Sequence, residues 1–507
     1  MIIILDFGSQ YSQLIARKIR ELSVYSEILP FSTPPKKYLT LKPAGIILSG
    51  GPSSVYDKNA PKISSEIFSY GIPILGICYG MQLMSILFDG GEVRRANRRE
   101  YGKTEIKYAK DDVLFNSLPE NFIVWMSHGD SVTKLPSGFH SIASSDNCNN
   151  VAMKHESLPI YGLQFHPEVH HTQFGKNILE NFVFKICKAT PDWEIGKFVE
   201  GTIEKLSNLI QDKRVLCAVS GGVDSTVLAV LLHRAINDRL LSIFVDNGVL
   251  RKGESDVVIE RFKKLGIKVK KVDASKHFLT QLKGISNPER KRKIIGREFI
   301  KVFIKELKEG DFLAQGTLYP DVIESVSTRG PSAKIKTHHN RVREVLKLIK
   351  EGRIIEPLKE LFKDEVRKVG RELGIPDEIL NRQPFPGPGL AVRILGSVTE
   401  RRLNVLREAD AILLEEMKKS GFYGKVWQSF CVLLPIRSVG VMGDERTYQN
   451  VIAIRVVESV DGMTANWVSL PYELLEKISN RIINEVEGIN RVVYDISSKP
   501  PSTIEWE

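Results

Sequence analysis

Short, uninterrupted apolar runs alternate with segments of helical period along the first part of this 507-residue chain. IIILDF (2–7), AGIILSG (44–50) and IPILGI (72–77) are runs of this kind with Gly or Asp turns at their ends. Continuous apolar runs suit strands buried on both faces, as in a mainly parallel sheet with helices on both sides. MIIILDFGSQ has neither a basic leader nor a small-residue cleavage site, so it reads as a first core strand. Near residue 188 the pattern breaks, where ICKATPDWEIGKFVE (186–200) crosses a Thr-Pro-Asp turn into an amphipathic helix. A second α/β series follows, with VLCAVS, LLSIFVDNG, IKVKKVDA and DFLAQGT as strands between helical stretches. It ends at QPFPGPGL (383–390), whose three prolines and two glycines oppose regular structure. Beyond it a long helical stretch, TERRLNVLREADAILLEEMKKSG, precedes the strands SFCVLLPI, NVIAIRVVES and RVVYDIS. The pattern predicts three domains: α/β over 1–188, α/β over 189–382, and a small α+β domain over 383–507.

Composition narrows the class. An apolar fraction of 42% is ordinary for globular protein, and no apolar run approaches the roughly 18 to 20 residues of a membrane span. Five scattered cysteines make no disulfide framework, so a reducing, cytoplasmic home is expected and no membrane partner. The net charge of +11 could mark a nucleic-acid binder. Its basic clusters, RRANRRE (94–100) and ERKRK (289–293), lack the interleaved aromatics of a base-stacking surface. A lysine-rich enzyme with anionic substrates, and no nucleic-acid partner, fits better.

Two stretches carry chemistry. In IPILGICYGMQLMSILF (72–88), Gly76-Ile77-Cys78-Tyr79-Gly80 has the Gly-x-nucleophile-x-Gly spacing of a nucleophile elbow. The glycines are needed because neighbouring Cβ atoms would collide with the following helix, whose N-terminus favours a thiolate. For Cys148, Cys187, Cys217 and Cys431 a buried core role is expected instead. GLQFHPEV (162–169) offers the acid/base partner. If the segment is extended, His166 and Glu168 project to one side, and Glu168 can fix the tautomer of a proton-shuttling His166. In LSGGPSSVYD (48–57), Gly50 and Gly51 let the backbone approach a substrate. A backbone N–H there, assigned to Gly51, could form an oxyanion hole with that of Tyr79.

The second stretch is VLCAVSGGVDSTVLAVLLH (215–233): apolar strand, glycine turn, apolar helix. This builds a phosphate cradle from backbone N–H groups and a helix N-terminus. Ser220 and Ser225 add hydroxyls, with Gly221, Gly222 and Val223 between them, and Asp224 can hold Mg²⁺. The lysine of a nucleoside-triphosphate P-loop is missing from the motif. A loop that grips β- and γ-phosphates as one leaving unit implies cleavage at the α-phosphate, and so nucleotidyl transfer.

GICYGMQ, SGGP and QFHPE together resemble a class I (triad) glutamine amidotransferase over roughly the first 188 residues. The resemblance implies that Cys78 attacks the glutamine amide and releases ammonia, with Gln82 helping to hold the substrate. SGGVDS resembles the N-type ATP pyrophosphatases, whose fold is of the adenine-nucleotide α-hydrolase type. There the strand after the loop helix, with Val245, lies by the adenosine, and Gly316 also belongs to the ATP site. FVDNGVLRKGES, KRKIIG, AQGTLYPDVIES, HHN, LFKDEVR, QPFPGPGLAVR and SKPPSTIEWE extend the likeness over the whole chain, to the glutamine-hydrolysing GMP synthetases. That family makes GMP from XMP, ATP and glutamine, and is usually dimeric through its C-terminal domain. Carried over by position, Lys363 would support the ATP phosphates, and Arg292, Gln428, Asp444, Lys499, Ile504 and Glu505 would contact XMP. SKPPSTIEWE is accordingly expected to be ordered, with Trp506 as its apolar anchor. One departure follows His338-His339-Asn340, where RVREVLKLIKEGR stands in a segment expected to be a lid. Two rivals remain at this point: a ligase amidating nicotinic acid adenine dinucleotide, and a basic RNA-binding scaffold.

Overall fold

The apolar runs become strands that pair through their backbone N–H and C=O groups. In the computed structural model, residues 1–507 are described except 10, 109–111, 327–347, 349, 460–461 and 463. The strands of the first body are β1 (Ile2–Asp6), β2 (Ser26–Pro30), β3 (Gly45–Leu48), β4 (Ile74–Ile77), β5 (Glu92–Tyr108), β6 (Asn121–Lys134), β7 (Phe139–Ser144), β8 (Ala152–His155) and β9 (Ile160–Leu163). They form one sheet in the order β2-β1-β3-β4-β9-β8-β7-β5-β6. The pairings among β2, β1, β3, β4 and β9 are parallel, and the rest are antiparallel. β1, β3 and β4 are almost wholly buried, as their unbroken apolar character requires. The helices Ser12–Glu21 and Tyr79–Leu87 cover the parallel part.

The second series forms an all-parallel sheet from β10 (Val215–Ala218), β11 (Leu240–Asp246), β12 (Val269–Asp273), β13 (Phe312–Ala314) and β14 (Ile354–Ile355). Its order is β12-β11-β10-β13-β14. The chain leaves β10 towards one edge and later returns to its other side, so a topological switch lies beside β10, where ligands bind in open α/β sheets. Downstream, β15 (Gln428–Met442) and β16 (Glu445–Glu458) form a long hairpin, joined by β17 (Asn466–Trp467) and β18 (Ile489–Tyr494). The helices Glu400–Lys419 and Tyr472–Glu485 pack on this small sheet. One apolar core runs without a break from Leu216 and Ile243 to Leu403, Ile454 and Ile482. The described residues fall into two bodies, Met1–Glu194 with the described part of 320–333 in one and Ile195–Tyr319 with the described part of 334–507 in the other.

QPFPGPGL behaves as expected up to Pro388, and a short 3-10 turn then spans Gly389–Arg393. His338, His339 and Asn340, with the expected lid, lie outside the described residues. No helix among the described residues is long and apolar enough to cross a membrane.

Candidate active site

In the first body the chemistry gathers at the carboxyl ends of parallel strands. β4 ends at Ile77 and the next helix starts at Tyr79, leaving Cys78 alone at the bend with φ 50° and ψ −104°. A non-glycine residue held there stores strain, as a nucleophile elbow does. The flanking glycines are required as expected. A Cβ on Gly76 would strike Met84 and the Gly80 backbone, and one on Gly80 would strike the Leu48 carbonyl. The Gly80 N–H donates to the Ser49 carbonyl at 3.1 Å, which draws the Gly50-Gly51 turn against the elbow. A Cβ on Gly50 would meet His166 Cε1 at 3.0 Å, and one on Gly51 would meet the Tyr79 ring at 3.3 Å.

β9, beside β4, delivers the partner. His166 Nδ1 lies 2.7 Å from Glu168 Oε1, and both side chains are buried. They occupy a turn beyond the end of β9, which stops at Leu163, and not an extended segment. The expected period-two geometry is therefore wrong, since Pro167 bends the chain, yet the turn still brings the two groups into contact. Burial alone would strip the proton from the imidazole. The Glu168 carboxylate and the hydrogen bond to Cys78 outweigh it, and the ring is pushed up to about 10. Glu168 Oε2 is buried with no hydrogen-bond partner among the described residues.

The sequence did not single out three neighbours. Gln164 Nε2 donates to Cys78 Sγ at 3.8 Å, the Ser127 carbonyl lies 3.9 Å from the same sulfur, and the Tyr11 ring stands edge-on to His166 at 5.1 Å. Gln164 had a signal, its place inside QFHPE; the others come from distant strands and loops. Gln82 is buried, its amide donating to the Asp130 carbonyl at 2.7 Å. The remaining cysteines are buried too, and burial pushes the Cys217 thiol up to about 12, where it is inert.

The glycine loop of the second body follows β10 at the switch. Gly222 caps the helix Val223–Ile236, and Gly221 has φ +73°. The loop hydroxyls are turned inward: Ser225 Oγ accepts from Ser220 N at 3.2 Å and donates to the Gly222 carbonyl at 3.1 Å. Val245 near the end of β11 and Gly316 just after β13 flank β10 on either side. The lysine missing from the motif arrives from 139 residues away: Lys363 Nζ is 2.5 Å from both carboxylate oxygens of Asp224.

A third cluster surrounds the segment 499–507. The fully buried Arg393 forks onto Glu505 at 2.8 and 3.0 Å, and Gln428 Nε2 donates to the same carboxylate at 2.8 Å. Arg292 donates to the Glu507 main chain, beside the buried Lys291, which holds the Glu507 carboxylate. Ile504 packs with Phe430, Val432 and Ala453, and Lys499 Nζ donates to the Gly462 carbonyl at 2.8 Å. Trp506 is not the anchor, being 37% exposed. The segment is held by buried cations, with Arg455 gripping the Ser497 and Thr503 carbonyls. Asp444 is not brought together with these residues. It sits exposed at the hairpin tip, past the far end of the 15-residue β15, roughly 45 Å in an extended strand from Gln428.

Residues 3–186 match the family model for glutamine amidotransferase class-I, 194–298 that for NAD synthase, and 415–506 that for the GMP synthase C terminal domain. The curated GMP synthase [glutamine-hydrolyzing] of Chlorobium chlorochromatii is 57% identical over 512 residues, covering 100% of this chain and 99% of that protein. The proteins of the same name from Chlorobaculum tepidum and Aquifex aeolicus are 57% and 54% identical, at the same coverage.

Proposed function

The chain belongs to the glutamine-hydrolysing GMP synthases, and from that premise we infer that its residues divide two reactions between the two bodies. It makes GMP from XMP with glutamine as nitrogen donor. The observation that most directly supports the assignment of residues is the buried Cys78–His166–Glu168 set on a strained elbow.

Glutamine hydrolysis starts with Cys78 Sγ attacking the side-chain amide carbon, while His166 passes a proton to the departing ammonia. The N–H groups of Gly51 and Tyr79 serve the tetrahedral oxyanion. Gln82 holds the substrate, and water then releases glutamate from the thioester. At the second site the residues 220–225, with Val245 and Gly316, hold ATP. The XMP carbonyl oxygen attacks the α-phosphorus, pyrophosphate departs, and ammonia displaces AMP to give GMP. The leaving pyrophosphate is received by the first N–H groups of the helix Val223–Ile236 and by Lys363.

Asp224 suits Mg²⁺: it is a partly exposed hard-oxygen donor beside the phosphate cradle, already attracting a cation in Lys363. Asp224 would hold the ion, which would supply charge neutralisation for the triphosphate. Arg292, Gln428, Lys499, Ile504 and Glu505 form the XMP site in this reading.

The exposed apolar residues of the hairpin, Val439, Val441 and Tyr448, support a homodimer through residues 383–507, with 1–188 and 189–382 as the other two domains. Asp444, remote from the other XMP residues of its own chain, would then act in the partner's site. A cytoplasmic location accords with five free cysteines.

Incubating the protein with ATP, Mg²⁺, XMP and glutamine should give GMP, AMP, pyrophosphate and glutamate in equal amounts. Formation of ADP, or amidation of nicotinic acid adenine dinucleotide in place of XMP, would overturn the reading.

A further inference from the structure

Arg382 reaches the glycine loop from 161 residues away in sequence, donating through Nη1 to the Gly221 carbonyl at 3.0 Å. Its Nη2 donates to the Glu254 carboxylate. Both side chains are nearly withdrawn from water, at 10% and 8% exposure, so the pair is a fixed element of the interior and not a surface contact. Glu254 opens the helix Glu254–Lys264, and Val258 of that helix presses on Gly221 so closely that a Cβ there would overlap it.

The consequence lies in the peptide between Gly221 and Gly222. It is trans, so its carbonyl and its N–H point in opposite directions. With the carbonyl tied to Arg382, the Gly222 N–H faces the inside of the loop, where it meets Ser220 Oγ at a long 3.3 Å. So weak a bond yields readily to an incoming phosphate oxygen. Two successive glycines impose little barrier to a peptide flip, and a flip would aim a carbonyl oxygen at the phosphates. We propose that Arg382 is a positioning residue for ATP. Its guanidinium, braced by Glu254, locks this peptide with its carbonyl outward and its N–H towards the phosphates. The proposal rests on the reading of residues 220–225 as the ATP phosphate site.

The test uses full-length enzymes carrying Arg382→Gln, Arg382→Lys or Glu254→Gln, with binding of Mg²⁺-ATP and of adenosine measured for each. Losing one N–H directed at an anion weakens ATP about 10- to 100-fold, and adenosine affinity stays within about twofold because the phosphates are absent. Arg382→Lys recovers part of the loss, and Glu254→Gln loses ATP affinity in the same selective way. Should Arg382→Gln fail to fold, the Glu254→Gln comparison of ATP with adenosine decides. Unchanged ATP affinity, or equal loss of ATP and adenosine, overturns the proposal. A wild-type enzyme binding ATP no better than adenosine would instead refute the reading of the loop itself.

Discussion

Replacing Glu168 by Gln keeps the shape of the carboxylate and removes its charge. In the native site the two side chains meet at 2.7 Å with almost no exposure to water. Two unit charges about 4 Å apart at an effective dielectric of about 20 attract by about 4 kcal/mol. The rise of His166 from 6.5 to about 10 corresponds to roughly 5 kcal/mol at about 1.4 kcal/mol per pH unit. The second figure is the net of Glu168 and Cys78 against the opposing loss of hydration, so the Coulomb figure alone measures the carboxylate. Without the carboxylate, burial dominates and the ring loses its proton at neutral pH. About 4 kcal/mol of lost imidazolium stabilisation predicts a fall of roughly 10³-fold in glutamine hydrolysis. Glutamate release is the assay, and GMP formation from ammonium salts, which bypasses this site, is the control.

The sign with pH follows from the raised value. The His166–Glu168 contribution to folding stability is complete below about 6.5 and is lost as pH rises through about 10. Thermal melts of the wild type should therefore lose their advantage over Glu168→Gln across that window. A Glu168→Gln enzyme within about tenfold of wild-type glutaminase activity, or one whose ammonium-driven synthesis falls equally, would refute the reasoning.

Asp224→Asn should depress synthesis equally with glutamine and with ammonium. Pyrophosphate release at the wild-type rate would remove Asp224 from the reaction. Lys499→Gln, which also gives up the bond to the Gly462 carbonyl, should raise the XMP concentration needed for half-maximal rate by about tenfold, the scale of one charge-assisted contact, with only a small fall in melting temperature. An unchanged XMP requirement would leave Lys499 a structural residue. Val441→Asp, at a side chain 74% exposed in the single chain, should shift sedimentation from dimer to monomer. A wild type that already sediments as a fully active monomer would contradict the dimer.

The parts of the sites formed by neighbours in sequence were legible. The elbow announced itself because strand, glycine, cysteine, glycine and helix follow within a few residues, and the strain at Cys78 is the cost of that order. The His166–Glu168 contact was readable as a local pair, although the backbone achieves it with a turn. The glycine loop was readable for the same reason. What closes it was legible only in part, since Lys363 was assigned from the family likeness, and its grip on Asp224 depends on a strand order that no local pattern encodes. Arg382 on Gly221 and Arg393 on Glu505 are equally long-range: each lies near the proline-rich segment and reads, by itself, as a surface charge. The role given to Trp506 erred because hydrophobicity suggested an anchor, whereas buried arginines hold the segment.

Tracing the transferred atoms tests the central claim most directly. Wild-type enzyme is given glutamine labelled with ¹⁵N at the amide and XMP labelled with ¹⁸O at the carbonyl that becomes the amino position. Cys78→Ala receives the same labelled XMP and labelled glutamine, together with unlabelled ammonium. Mass spectrometry of the products should show ¹⁵N in GMP from the wild type only, and ¹⁸O in AMP from both enzymes. AMP free of ¹⁸O, or ¹⁵N-labelled GMP from Cys78→Ala given labelled glutamine, would contradict the account.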